Sequence, residues 1–274
     1  MSGPAPSIPQ AKRIILTRAC DPADEGVPSP LELQLRDAGA RVEQFALIHL
    51  AQPADAAAAR QALQDLADYV LAVPVSPAAA RAALGLLDRP WPASCALGLI
   101  GAASRDAMRQ GLQARGESPQ ALRWICAEQP DADSEALWQA LQRWRADWHG
   151  APVLLLRGDG GREWLADALR AAGARVRVLE VYRRVAPAAD AARLRRLREL
   201  LQPGDAWQIA AASALHNLCG LLRAAGLQPR QALAGQCALV HHARLAQAAR
   251  EAGFGCVRTV AFDPRGLLEA LGGR

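Results

Sequence analysis

The sequence predicts an α/β protein made of two parallel-sheet halves, the first of them discontinuous in the chain. Three observations carry that reading. Short β-rich runs alternate with longer runs of helical period almost from end to end, the pattern of parallel strands covered by helices on both faces. LELQLRDAGARV at 31–42 returns as LADALRAAGARV at 165–176, each copy preceded by an apolar strand that ends in Arg. The segments that follow the two copies are long for strands and mix charged with apolar residues, as suits chain passing from one half to the other and back. These linkers are expected at about 42–50 and 176–184, one domain at 1–43 and 184–274, and the other at 48–178.

The strands are expected, in order, at RIILTR 13–18, VEQFALIHL 42–50, DYVLAV 68–73, CALGLIG 95–101 and LRWICA 122–127. They continue at APVLLLRG 151–158, VRVLEVYRR 176–184, AWQIAA 206–211, CALVHH 237–242 and CVRTV 256–260. Each is rich in branched or aromatic residues, and several are apolar without interruption, which marks strands buried on both faces. Between them LELQLRDAG, AAARAALGLL, SRDAMRQGL, SEALWQALQRWR, GREWLADALRAAG and ARLAQAAREAG repeat their apolar positions every three or four residues, as one-sided helices do. Gly39, Gly111, Gly173 and Gly253 are read as their left-handed stops. Asp68-Tyr-Val and Asp205-Ala-Trp open similar strand–helix–strand stretches, a looser second sign of duplication.

Composition excludes several classes. With 274 residues, 51% hydrophobic and 22% charged, the chain is neither disordered nor a disulfide-stapled miniprotein. No run approaches the ~20 apolar residues of a membrane helix. MSGPAPSIPQ has no basic segment leading into an apolar one, so a cytoplasmic protein is expected. The six cysteines form no C-x-x-C pair, so the spacing of structural zinc and thioredoxin-type sites is missing and no metal is expected. The net charge of +5 comes from Arg, with Lys12 as the single lysine. Those Arg residues are scattered and aromatics make up 4%, unlike the basic stripe with interleaved rings of a nucleic-acid binder. Arg in quantity suits an acidic ligand, since it grips a carboxylate with two bonds at once, and equally suits a simple preference for Arg over Lys.

The sharpest local feature is Arg157-Gly-Asp-Gly-Gly-Arg162, after the apolar VLLL and before an amphipathic helix. Glycines at such a joint let backbone N–H groups turn outward, and the helix start adds partial positive charge, so an anion cradle or a bare tight turn is expected. It is neither a dinucleotide fingerprint nor a P-loop. Thr17-Arg18 holds the same joint after the first strand, where ligands bind in open α/β sheets. His241 and His242 are expected on opposite faces of an extended chain, unsuited to holding one metal ion. Tyr182, followed by Arg183-Arg184, can donate a proton from a hydroxyl whose anion is stabilised nearby, or serve as a strand aromatic.

Together RIILTR, LLLRGDGGRE with ALRAAGARV, and LEVYRR resemble the uroporphyrinogen-III synthase family, with support from IGAAS at 100–104, VHHARLAQAAREAGF at 240–254 and the terminal LLEAL. The resemblance spans nearly the whole chain after about residue 12. It implies two flavodoxin-like domains joined by a two-stranded linker, and a lyase without cofactor that closes hydroxymethylbilane, inverting ring D through a spiro intermediate, to uroporphyrinogen III in haem biosynthesis. The implied partner is a small-molecule polycarboxylate tetrapyrrole; no nucleic acid and no membrane are expected, and the protein is expected to be monomeric. The resemblance makes Tyr182 the catalytic proton donor. Thr17, Arg18, Ser104, Arg157, Gly158, Gly160, Gly161, Arg162, Ser213, His242 and Arg244 are then the substrate-binding positions. The chain departs from the family where Ser or Thr is usual: it has Pro74, Ala103, Ala210 and Ala211, with Ser76 and Ser213 as neighbouring hydroxyls. That keeps a second reading open, a weakened or inactive paralogue that binds a small anion. Tyr182 is expected to share a half-exposed strand face with Val176, Val178 and Glu180, its hydroxyl turned to the cleft between the halves.

Overall fold

The computed structural model describes residues 13–127, 133–160 and 163–272. The chain starts with β1 (Ile14–Leu16), α1 (Pro30–Asp37), β2 (Val42–Gln44), β3 (His49–Ala51) and α2 (Ala56–Gln64). It goes on through β4 (Leu71–Pro74), α3 (Pro77–Leu86), β5 (Ala96–Leu99), α4 (Gly101–Ala114), β6 (Trp124–Cys126) and α5 (Ser134–Trp144). Next come β7 (Pro152–Gly158), α6 (Trp164–Ala171), β8 (Arg175–Val185), α7 (Ala191–Glu199), β9 (Ala206–Gln208) and α8 (Ala212–Ala224). The chain ends with α9 (Pro229–Leu233), β10 (Cys237–Val240), α10 (Ala243–Ala252), β11 (Cys256–Thr259) and α11 (Pro264–Ala270). Side-chain caps set many of the helix starts: Ser29, Asp55, Ser76, Asp133, Asp190 and Asp263 each accept a backbone N–H from the first turn.

The chain divides into two compact units, one of residues 1–50 and 185–274, the other of residues 51–184. The sheet of the first unit has the order β11-β10-β9-β1-β2, and each of these neighbours pairs in parallel. The sheet of the second has the order β8-β7-β4-β5-β6, each pair parallel. β2-β1-β9-β10-β11 and β8-β7-β4-β5-β6 are the same spatial arrangement, a flavodoxin-like order in which β7, although late in its unit, takes the place that β1 holds in the first. The repeat in the sequence therefore falls on equivalent pieces: β1, α1 and β2 in one unit, β7, α6 and β8 in the other.

Both faces of the first sheet are covered. Ile15, Trp207, Ala238 and Val240 face one core with Leu218, Leu222 and Leu245, while Ile14, Leu16, Ala206 and Leu239 face a second with Leu35 and Leu267. Trp207 meets Phe45 edge-on at 6.1 Å and donates its indole N–H to Gln236 Oε1 at 3.1 Å, so its one polar atom is satisfied. In the second unit Leu71, Val73, Val153 and Leu155 pack on Leu137, Leu141, Leu165 and Leu169.

Two expectations fail here. VEQFALIHL is not one long strand: β2 stops at Gln44 and β3 begins at His49. Phe45, Ala46, Leu47 and Ile48 between them are all buried, and Phe45, Leu47 and Ile48 join the core around Trp207. Arg193 and Asn217 hold this stretch by donating to the Ala46 and Leu47 carbonyls at 2.9 and 2.7 Å. Gly111 is not a helix stop, since α4 runs through it to Ala114 and the left-handed residue is Gly116. At Gly111 a Cβ would come within 2.4 Å of Leu84 Cδ1, so the bare Cα leaves room for the present position of that side chain where α3 meets α4.

Gly253 shows what a required glycine costs to replace. Its φ is +109° and a Cβ there would lie 2.4 Å from Arg230 Cα, whereas Gly39 has a positive φ but open space around it. Gly253→Ala should lower unfolding free energy by about 2–4 kcal/mol, the sum of left-handed strain and overpacking. Gly39→Ala should cost about 1–2 kcal/mol, the strain alone. Urea midpoints at unchanged slope measure both, and equal losses would remove the steric account.

Candidate functional site

In a doubly wound sheet the helix N-termini and strand carboxyl ends gather along one edge, and each unit places its chemistry-bearing residues there. In the second unit that edge is formed by the ends of β4, β5, β7 and β8. Arg157 and Gly158 close β7, and Gly158 stands in register with Tyr182 of β8. Arg157 pairs with Glu180, so the register skips Val181, a bulge that adds one residue to β8. The bulge turns Tyr182 away from the face of Val176, Val178 and Glu180. Tyr182 is 4% exposed, not half-exposed as strict alternation predicts.

Its ring lies against the bare Cα of Gly158: a Cβ there would fall 2.4 Å from Tyr182 Cζ and 2.8 Å from its hydroxyl. The Arg184 guanidinium sits 5.3 Å over the ring, and Nη2 donates to the phenol oxygen at 2.9 Å. Asp159 completes the circuit. Its N–H donates to the Tyr182 carbonyl at 3.1 Å, and its Oδ1 accepts the Arg184 N–H at 2.8 Å. Because the phenol oxygen accepts from Arg184, its own proton is free for another acceptor.

The expected anion cradle is already partly filled with negative charge. Arg157 Nη2 reaches Glu163 Oε1 at 3.2 Å, and Asp159 brings a second carboxylate. The Arg157 Nε is nonetheless buried with no partner. Gly160 has a φ of +68° and open space around it, while Gly161 and Arg162 lie outside the described residues. Arg157 also lines a pocket of about 250 Å³ with Val75, Ile100, Leu155, Leu165 and Val178, and Asp133 and Ser134 line it too. The Ala136 N–H that caps onto Asp133 holds that carboxyl below its usual range. Ser104 is buried within α4, 1% exposed, and presents no open hydroxyl. Ser76 spends its hydroxyl on the Ala79 N–H as the cap of α3, and Pro74 ends β4 in register with Leu156.

In the first unit Thr17 and Arg18 follow β1 at the switch point beside β9. Thr17 is buried and its hydroxyl donates to the Gln208 carbonyl, so it ties β1 to β9. Arg18 Nη2 reaches the Val27 carbonyl at 3.3 Å, and its Nε is buried without a partner. Ser213 is exposed in the first turn of α8, which Ala211 begins with no side-chain cap. His242 caps α10, its Nδ1 accepting the Leu245 N–H at 3.0 Å, and Arg244 beside it is exposed. The two histidines do not point apart: their ring centroids are 4.6 Å from each other, and His241 packs on Phe262 at 5.0 Å. The strand ends at Val240, so alternation no longer governs this pair. Among the described residues no group of three or more His, Cys, Asp or Glu could hold a metal ion, and no helix is long and apolar enough to cross a membrane.

A family model described as Uroporphyrinogen-III synthase HemD matches residues 29–268, from the start of α1 into α11. The chain belongs to this family. Among solved structures, it is similar to the uroporphyrinogen-III synthetase of Helicobacter pylori, at 13% identity and a TM-score of 0.55 over 95% of this chain and 96% of that one. It is also similar to a mutant uroporphyrinogen III synthase of the extreme thermophile Thermus thermophilus, at 19% identity over 95% and 99% of the two chains, with a TM-score of 0.47. Uroporphyrinogen-III synthases are lyases of porphyrin and haem biosynthesis, and the two-domain α/β fold described above is shared with the Helicobacter protein.

Sequence reasoning missed Asp159 as the residue that fixes Arg184, and the bulge at Val181. An acid inside a glycine-rich turn, opposite the Arg-Arg that follows Tyr182, was the available signal for the first. The contact of ring and glycine is directly testable. Gly158→Ala should displace the Tyr182 ring and cost about 1–3 kcal/mol. Adding Tyr182→Ala should relieve that clash, so the double variant should be more stable than the summed losses predict by at least about 0.5 kcal/mol. Strict additivity would show that the ring does not rest on Gly158.

Proposed function

We propose that this chain converts hydroxymethylbilane to uroporphyrinogen III, with Tyr182 as the proton donor to the departing hydroxyl. The family match over residues 29–268 is the observation that carries the reaction. The phenol that accepts from Arg184, and so keeps its own proton to give, supports the role of Tyr182. The reaction is redox-neutral. The terminal C–O bond breaks, the phenol proton leaves with the hydroxyl as water, and the methylene carbon left behind is attacked by a ring D carbon; the proton that ring D loses on regaining aromaticity restores the phenol. Attack at the substituted carbon forms the spiro intermediate whose rearrangement inverts that ring.

A linear tetrapyrrole with eight carboxylates needs several cations and N–H donors to hold one ring geometry, and orientation supplies much of the barrier reduction. In this reading Arg157 and Arg18, each with a buried Nε that no protein group satisfies, take substrate carboxylates. Gly158, Gly160, Gly161, Arg162, Ser213, His242 and Arg244 contribute further donors, and the protein works as a cytoplasmic monomer. Thr17 and Ser104 keep the substrate-facing backbone in place rather than bind with their hydroxyls, which fits the first being bonded to Gln208 and the second being buried.

Supplying hydroxymethylbilane and separating the products tests the activity. The inverted isomer, uroporphyrinogen III, should dominate, and a mixture with only the uninverted isomer that forms spontaneously would refute it. Tyr182→Phe should lower kcat about 10²-fold, the low end for loss of a proton donor to a leaving hydroxyl, with little change in stability. Turnover at the parent rate would make Tyr182 a structural aromatic.

A further inference from the structure

We propose that Cys237 and Cys256 are a reversible dithiol that closes to a disulfide by exchange with a small-molecule disulfide, stapling β11 to β10. The two residues are register partners on neighbouring parallel strands, and their Sγ atoms are 2.8 Å apart. Register partners project to the same face of a sheet, and strands stand ~4.8 Å apart, within the Cα separation a disulfide spans. β11 is the edge strand of its sheet, so one side of it is unpaired and it can yield the small adjustment that bond formation needs. The two thiols differ in access: Cys237 is buried, whereas Cys256 is half-buried. Burial, with the neighbouring Cys256 sulfur second, pushes the Cys237 thiol up to about 12. Exchange therefore starts at Cys256.

The chemistry balances with oxidised glutathione as the oxidant. Cys256 sulfur attacks one glutathione sulfur, breaking its S–S bond and releasing one glutathione. Cys237 sulfur then attacks Cys256 sulfur in the mixed disulfide and releases the second. The two protein thiol protons leave with the two reduced glutathiones, and the two electrons lost by the protein reduce the one oxidant molecule. The bond would tie the last strand to β10, the strand that leads to the His242 cap of α10.

The test is incubation of the full chain with oxidised glutathione, followed by acid quenching, intact mass and peptide mapping. Two of the six thiols should be lost, the mass should fall by about 2 Da, and the peptides holding Cys237 and Cys256 should be linked until a dithiol reductant separates them. Cys237→Ala should stop at a lasting mixed disulfide on Cys256, and Cys256→Ala should leave Cys237 unmodified. A wild-type chain that keeps all its thiols, or that carries glutathione on Cys256 without resolving it, overturns the proposal. So does a Cys256→Ala variant that still loses two thiols.

Discussion

The constraint on which the rest of the structure depends is burial of β1 and β7 on both faces. Ile14, Ile15 and Leu16 in one unit, and Val153, Leu154, Leu155 and Leu156 in the other, are all buried. A strand apolar on both sides demands a layer of helices over each face, and parallel pairing follows because the helices supply the return path. Parallel pairing in turn directs every strand's carboxyl end the same way. The bodies of β1, β4 and β5 hold no polar side chain, and Thr17, Arg18 and the helix-capping Ser76 and His242 appear just past strand ends, with Arg157 at the end of β7.

At the end of β7 and β8 this general arrangement becomes specific through one missing side chain and one extra residue. Gly158 leaves room for the phenol ring, and Val181 supplies the shift of register that swings Tyr182 onto it. Neither works alone. With a side chain at 158 the ring would be expelled, and without the bulge it would lie on the face of Val178. Asp159 and Arg184 then fix the ring from its polar side, so that its hydroxyl is held by a cation rather than left to rotate.

What was legible in the residues was whatever depends on local pattern. The apolar runs behind β1, β4, β5, β7 and β10 were unambiguous, and the repeat at 31–42 and 165–176 falls on equivalent strand–helix–strand pieces. What failed depended on partners distant in the chain. Phe45 to Ile48 looked like a continuing strand because no glycine, proline or other turn residue interrupts them; only the core they enter, and the grip of Arg193 and Asn217, shows that they turn. Gly111 resembled a helix stop until Leu84 was placed against it. The glycine-rich turn after β7 looked like a bare anion cradle because Glu163 and Asp159 find their cationic partners only once β8 and α6 are folded back.

The discontinuity of the first unit bears on how the chain is made. Residues 51–184 are contiguous, so every strand from β4 to β8 is available as soon as that stretch has left the ribosome. β1 and β2 emerge first, yet their sheet partners β9 and β10 lie beyond residue 185. At a synthesis rate of about 5–20 residues per second, the stretch from the end of β2 to the end of β9 takes roughly 8–33 s. Throughout that interval the apolar Ile14-Ile15-Leu16 has no β9 to cover its edge. β1 is thus made well before the strand that covers its edge, and its two apolar faces and open edge must wait for β9 to be sheltered.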